Sequence, residues 1–146
     1  MCINPKKRPL VSVIMGVYNS QGTLSEAVMS ILNQTYSNFE FLICDDGSTD
    51  DSLKLLGNFS DKRIKILRNE VNRGLAFSLN KCLVASSGAY VARMDADDVA
   101  FPDRLETQLS FLEKNKKNSK KHLQKILRYD IINLGHAREI KIRNSD

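Results

Sequence analysis

The run Leu10–Val17 is almost continuously apolar and β-branched, the signature of a strand buried on both faces of a parallel sheet. After the polar stretch Tyr18–Gly22, Thr23 and Glu26 stand at capping-box spacing. Leu24, Ala27, Val28, Ile31 and Leu32 then recur at helical spacing and predict a helix with one core-facing stripe. Phe39–Cys44 predicts a second buried strand, and Ser48 stands where it would cap a short helix carrying Leu53, Leu55 and Leu56 before Gly57. Ile64–Leu67 predicts a third strand. Leu75–Ser86 predicts a helix with Leu75, Ala76, Leu79 and Leu83 on one side, and Gly88 falls where a left-handed stop is expected. Ala89–Met94 predicts a fourth strand, and Pro102 suits a first helical position ahead of Leu105, Leu109 and Leu112. This alternation predicts an α/β domain: a mostly parallel open sheet with helices on both faces, of the Rossmann-like, nucleotide-binding kind. Such sheets bind ligands beyond the carboxyl ends of their strands.

Past Glu113 the texture changes. Residues 115–121 are polar and strongly basic, a linker or helix start. Leu123, Ile126, Leu127, Ile131 and Leu134 keep approximate helical spacing up to Gly135, whereas Ile140 and Ile142 suggest at most a short edge strand. The expected organisation is a lead over residues 1–9, a folded domain over 10–113 and a partly helical basic tail over 114–146.

Charge sharpens that division. The net charge of +5 splits into +7 over residues 114–146 and −2 over residues 1–113, so the folded part carries no basic nucleic-acid surface. The tail reads as a solvated lysine-rich face, with weak contact to an anionic membrane surface as the alternative. Cys2, Cys44 and Cys82 are too few and too scattered for a disulfide framework or a zinc knuckle and fit a reducing compartment. No run approaches a membrane span and no targeting segment stands out, so the expected location is the cytoplasm, peripheral at the inner membrane face if the tail binds lipid.

The candidate chemistry is acidic. Asp45–Asp46 follow the second strand and Asp95–Ala96–Asp97–Asp98 follow the fourth, so both clusters fall at the ligand-binding edge. Crowded carboxylates need a cation, hydrogen-bond donors or solvent to stay ionised. Hard oxygen ligands of this kind suit Mg²⁺ or Mn²⁺ completed by substrate phosphates, which makes a metal-bridged diphosphate the natural ligand. The plainer alternative is turn and cap chemistry, with Gly47 supplying a positive φ and Ser48 a cap. Neither G-x-x-x-x-G-K nor G-x-G-x-x-G occurs, which disfavours other nucleotide-handling α/β enzymes such as nucleotidylyltransferases. His122 and His136 lack a second ligand at metal spacing, and Cys44 and Cys82 read as core packing.

Five segments in register resemble the signature series of family-2 glycosyltransferases: residues 11–19, Ser30–Tyr36, Asp45–Asp50, Asn72–Gly74, and Met94–Asp98 followed by Pro102–Leu105. The resemblance covers roughly residues 10–113. It implies a GT-A fold that binds a nucleotide-diphosphate sugar, a UDP-sugar in first place, through Mn²⁺ or Mg²⁺, and transfers the sugar to a glycan, lipid-linked or protein acceptor. Carried over by residue, it sets Val17 and Tyr18 beside the base and gives Asp46 a hydrogen bond from base or ribose. Arg73 would approach the nucleotide, or else simply pair with Glu70 or Asp61. Asp95, Ala96 and Asp97 match the DxD motif, Asp97 as metal ligand, Asp95 facing ribose or metal, with Asp98 in support. The alternative for Tyr18 is a core aromatic at a strand end, and Asn19, Asn72 and Gly74 could serve only to shape loops.

Gly16 departs mildly from the family, which usually has proline or another small residue there. The larger departure is that the match ends after Leu112, with no counterpart of the acidic general base that activates the acceptor. Asp130 and Glu139 are isolated acids and receive no role. The chain therefore reads as a donor-binding half with an unrelated end, and the competing expectation is a nucleotide-sugar-binding remnant without turnover.

Overall fold

The computed structural model describes residues 8–115 and 131–133. The elements are β1 (Val11–Val17), α1 (Leu24–Leu32), β2 (Phe39–Asp45), α2 (Ser52–Gly57), β3 (Ile64–Arg68), α3 (Leu75–Ala85), β4 (Tyr90–Arg93), α4 (Arg104–Lys114) and β5 (Ile131–Asn133). The sheet runs in the order β3-β2-β1-β4-β5. The first four strands are mutually parallel, with Val17 beside Asp45 and Ile14 beside Arg93, while β5 lies antiparallel on β4. The expected α/β architecture is the one observed.

Strand alternation sorts the core into two layers. Val11, Val13, Met15 and Val17 of β1, with Phe41 and Ile43 of β2, face Leu24, Val28, Ile31, Leu56, Leu105 and Leu109 from α1, α2 and α4. The opposite parity, Ile14, Leu42, Cys44 and Val91, packs on Cys82, Leu79 and Leu83 of α3. Fully burying an aliphatic or aromatic side chain contributes about 1.5–3 kcal/mol, so the larger layer dominates the stabilisation. Cys44 and Cys82 are buried free thiols in the smaller layer, as core packing predicts.

At the amino ends of the strands Glu40 is buried and saturated. It accepts from Lys65 Nζ at 2.6 Å, from Ser12 Oγ at 2.6 Å and from the Ser87 main-chain N–H at 2.7 Å. Burial alone would raise this carboxyl, but those donors outweigh it and bring its pKa down to about 2.

Several local expectations are corrected. Thr23 occupies the N-cap position of α1 but makes no capping bond; its hydroxyl donates to the Ala96 carbonyl at 2.9 Å instead. Asp51, not Ser48, precedes α2, and Ser48 Oγ accepts the Asn19 N–H. Gly88 is no left-handed stop, since the chain leaves α3 through an extended Ser86. Its glycine is required by close approach: a Cβ there would lie 2.6 Å from Ser12 Oγ and 2.8 Å from the Leu10 carbonyl. α4 begins at Arg104 behind Asp103, and Pro102 stays outside it, where its carbonyl accepts the Thr35 N–H at 2.8 Å. The helix expected through Ile131 gives way to a strand at Ile131–Asn133, because the outer edge of β4 offers unpaired main-chain groups. The rest of that expected helix, Gly135, Ile140, Ile142 and both histidines lie outside the described residues.

Candidate functional site

The chain moves outward from β1 through β2 to β3 and then returns to the other side of β1 as β4. The carboxyl ends of β1 and β4 therefore flank the point where the strand order reverses, the usual binding crevice of an open α/β sheet. Tyr18 leaves β1 there, Asp46 leaves the neighbouring β2, and Asp95–Asp98 leave β4. No helix among the described residues is long and apolar enough to cross a membrane.

Asp46 is 3% exposed and acts as a hub. Its Oδ1 accepts the Arg73 main-chain N–H and the Asn69 side-chain amide, both at 2.8 Å, and its Oδ2 accepts the Gly74 N–H at 2.8 Å. Burial pushes its pKa up, but these donors win and hold it below the ordinary aspartate value. The Ser78 hydroxyl adds to the donors that favour the ionised carboxylate. The backbone shape around it needs glycine twice. Gly47 has φ +70° and would set a Cβ 2.7 Å from the Val71 carbonyl carbon, whereas Gly74, at φ +90°, meets nothing and is needed for its conformation alone.

The remaining expected residues fall around this hub. Val17 is buried, and its carbonyl accepts the Asp46 N–H at 2.7 Å, so it reaches the crevice through its backbone. Tyr18 is 47% exposed at the mouth, which removes the core-aromatic alternative. Arg73 lays its guanidinium 4.5 Å from the Phe77 ring centre and pairs with neither Glu70 nor Asp61; Asp61 is taken by Arg63. Asn19, at φ +46°, receives the Thr49 and Asp50 N–H groups on Oδ1 and so fixes the loop after β2.

The β4 cluster is built differently. Asp95 is half-buried and ion-paired to Arg93 at 2.9 Å, Ala96 is buried, and Asp97 and Asp98 are exposed. Asp97 has no side-chain partner among the described residues, and the Asp98 N–H closes a turn onto the Asp95 carbonyl at 3.3 Å. No group of three or more His, Cys, Asp or Glu converges among the described residues. Two carboxylates are nevertheless a donor set that suits Mg²⁺ or Mn²⁺ when phosphate oxygens and water complete the shell, so the residues present fit such an ion.

Sequence reasoning overlooked Asn69. It is 5% exposed and bridges Asp46 to Ser78 Oγ at 3.0 Å, while its Oδ1 accepts from Lys81. An isolated asparagine after a strand carries no signal by itself; only the buried carboxylate twenty-three residues earlier makes it meaningful.

A family model described as glycosyl transferase family 2 matches residues 12–120. The chain belongs to that family. EpsE of Bacillus subtilis is 51% identical over 112 residues, 74% of this chain and 40% of that protein. The UDP-Glc:α-D-GlcNAc-diphosphoundecaprenol β-1,3-glucosyltransferase WfgD of Escherichia coli is 44% identical over 106 residues, 73% and 42% of the two chains. Among solved structures, residues 1–349 of S. aureus TarS in complex with UDP-GlcNAc superpose with TM-score 0.69 at 28% identity, over 73% of this chain and 32% of that one. The mannosyltransferase PcManGT of Pyrobaculum calidifontis, in complex with GDP-Man and Mn²⁺, gives 0.68 at 28% identity over 75% and 34%. The fold is thus the GT-A nucleotide-binding fold. The chain spans about 40% of the length of EpsE and of WfgD.

Proposed function

We propose that residues 10–113 form the donor-binding part of a glycosyltransferase. It takes a nucleotide-diphosphate sugar, a UDP-sugar in first place, for transfer to a glycan, lipid-linked or protein acceptor. The observation that carries this reading is that Tyr18, Asp46 and the Asp95–Asp97 segment follow the carboxyl ends of three adjacent strands, β1, β2 and β4, of a family-2 fold. The complexes of structural relatives with UDP-GlcNAc and with GDP-Man and Mn²⁺ support it.

Each residue then has a task suited to its surroundings. Asp46 accepts an N–H of the base, and the exposed Tyr18 ring stacks on the base face. Arg73, steadied by Phe77, approaches the nucleotide from the start of α3. Asp95 accepts from a ribose hydroxyl, and Asp97, projecting into solvent, ligates Mn²⁺ or Mg²⁺ together with the diphosphate. Bound there, the ion supplies positive charge that offsets the charge developing on the departing diphosphate. Membrane contact through the basic tail, and a place at the cytoplasmic face, remain part of the proposal on the charge argument alone.

Calorimetric titration with UDP in the presence of Mn²⁺ tests the reading. Wild type should bind, and Asp97→Ala should weaken binding by at least roughly tenfold, since losing even an outer-shell partner of a metal ligand costs on the order of 10–100-fold. Equal behaviour of the two proteins would sink it.

A further inference from the structure

Val91 and Arg93 share the α3-facing side of β4. Val91 is buried in the smaller apolar layer, but two residues on the same side carries an arginine whose side chain is 46% exposed at the carboxyl edge. Its Nε and Nη2 fork onto the Asp95 carboxylate, at 3.1 and 2.9 Å to Oδ1 and 3.2 Å to Oδ2. The Arg93 carbonyl accepts Arg104 Nη2 at 2.7 Å, which fixes the backbone from which this fork springs. A pair this exposed contributes little to folding, so stability does not account for it. Three carboxylates stand within four residues here, and the fork offsets the first of them. A guanidinium has five N–H donors, and both on Nη1 have no acceptor among the described residues.

We propose that Arg93 belongs to the donor site, where it both positions Asp95 and contacts the nucleotide. It orients Asp95 toward the ribose, lowers the negative charge that the diphosphate must approach, and presents Nη1 to an anionic oxygen of the nucleotide. This rests on the nucleotide-diphosphate reading above. A planar fork serves both tasks, whereas lysine would supply only the charge.

The test uses the full chain with two probes: UDP at saturating Mn²⁺ by calorimetry, and Mn²⁺ alone by electron paramagnetic resonance. Arg93→Gln should weaken UDP about tenfold, the scale of one lost charge-assisted contact. The same variant should bind Mn²⁺ alone about threefold more tightly, because Asp95 loses its counter-ion. Arg93→Lys should return Mn²⁺ affinity to near wild type while recovering only part of the UDP affinity. A residue of merely structural importance would not move the two affinities in opposite directions. If wild type binds UDP while Arg93→Gln binds it equally well, or gains nothing toward Mn²⁺, the role of Arg93 is overturned and the donor site stands. Wild type that holds no UDP even with Mn²⁺ overturns both.

Discussion

Asp46 and Asp97 leave neighbouring positions on one sheet edge, two strands apart, and live in opposite environments. Asp46 is sealed in, accepts three N–H groups and ties together the loop after β2, the segment before α3 and the end of β1. Asp97 stands in solvent with no protein partner among the described residues. The first carboxylate is part of the fold and offers a ligand what is left over. The second is held by no side-chain contact among the described residues and is available to a ligand. An acidic motif can thus be architecture with a functional remainder, or function alone, and burial decides which.

Replacing the hub gives the largest effect. Asp46→Ala strands two main-chain donors and a buried amide, and each orphaned group costs about 1–3 kcal/mol, with partial relief from water entering the gap. A net loss of about 3 kcal/mol is expected, together with at least a hundredfold loss of UDP affinity as the segment before α3 loosens. Thermal unfolding should therefore move by more than 10 °C, roughly, whereas Asp97→Ala should leave the midpoint in place. If the two variants melt alike, the contrast between the clusters is wrong.

Acid unfolding extends the contrast to the opposite end of the strands. Glu40 has its pKa depressed to about 2 by Lys65, Ser12 and Ser87 against the opposing push of burial, and Asp46 is depressed as well. A depressed carboxylate contributes stability that is fully present above its unfolded pKa and lost as pH falls through the folded value. For Glu40 that window lies between about 4.5 and 2. Glu40→Gln should cost about 2–3 kcal/mol at neutral pH and flatten the stability loss across that window, leaving UDP affinity unchanged. Denaturant titrations at stepped pH, compared with wild type, read both effects. An unaltered acid limb would mean that Glu40 is not held as its contacts indicate.

Much of this was legible in the residues. The continuous apolar runs at 10–17 and 39–44 predicted buried parallel strands, and the acids following the second and fourth strands predicted where the site would lie. What escaped were partnerships whose two halves are far apart in the chain. Asn69 becomes a site residue only through Asp46, and Gly88 is needed only because β1 passes against it. The cap spacing at Thr23 was real, but its hydroxyl found a stronger claim seventy-three residues away. Periodicity reports which face of an element is buried, whereas these contacts depend on which elements become neighbours. Likewise Ile131–Asn133 fits a helix by spacing, and the open edge of β4 decides otherwise.

Thr23 offers the finest comparison, because it supports one acidic region, the Asp95–Asp97 segment, without touching a carboxylate and without reaching the Asp46 hub. Its hydroxyl reaches from the start of α1 to the Ala96 carbonyl, at the centre of the Asp95–Asp97 segment. Thr23→Val keeps the shape and removes the donor, so the expected stability cost is only about 1 kcal/mol. The α1 start should stay formed, since the Thr23 carbonyl still receives the Ala27 N–H at 3.1 Å. The Asp95–Asp97 turn, however, loses an anchor, and its carboxylates should sample a wider range of positions. The consequence should fall on metal-dependent binding alone: UDP affinity with Mn²⁺ should drop about threefold, in proportion to the fraction of time the turn is correctly set. The Asp46 hub is untouched, so the melting midpoint should shift by only a few degrees, about 5 °C at most. A loss of affinity matching that of Asp46→Ala would show instead that the two regions form a single cooperative unit.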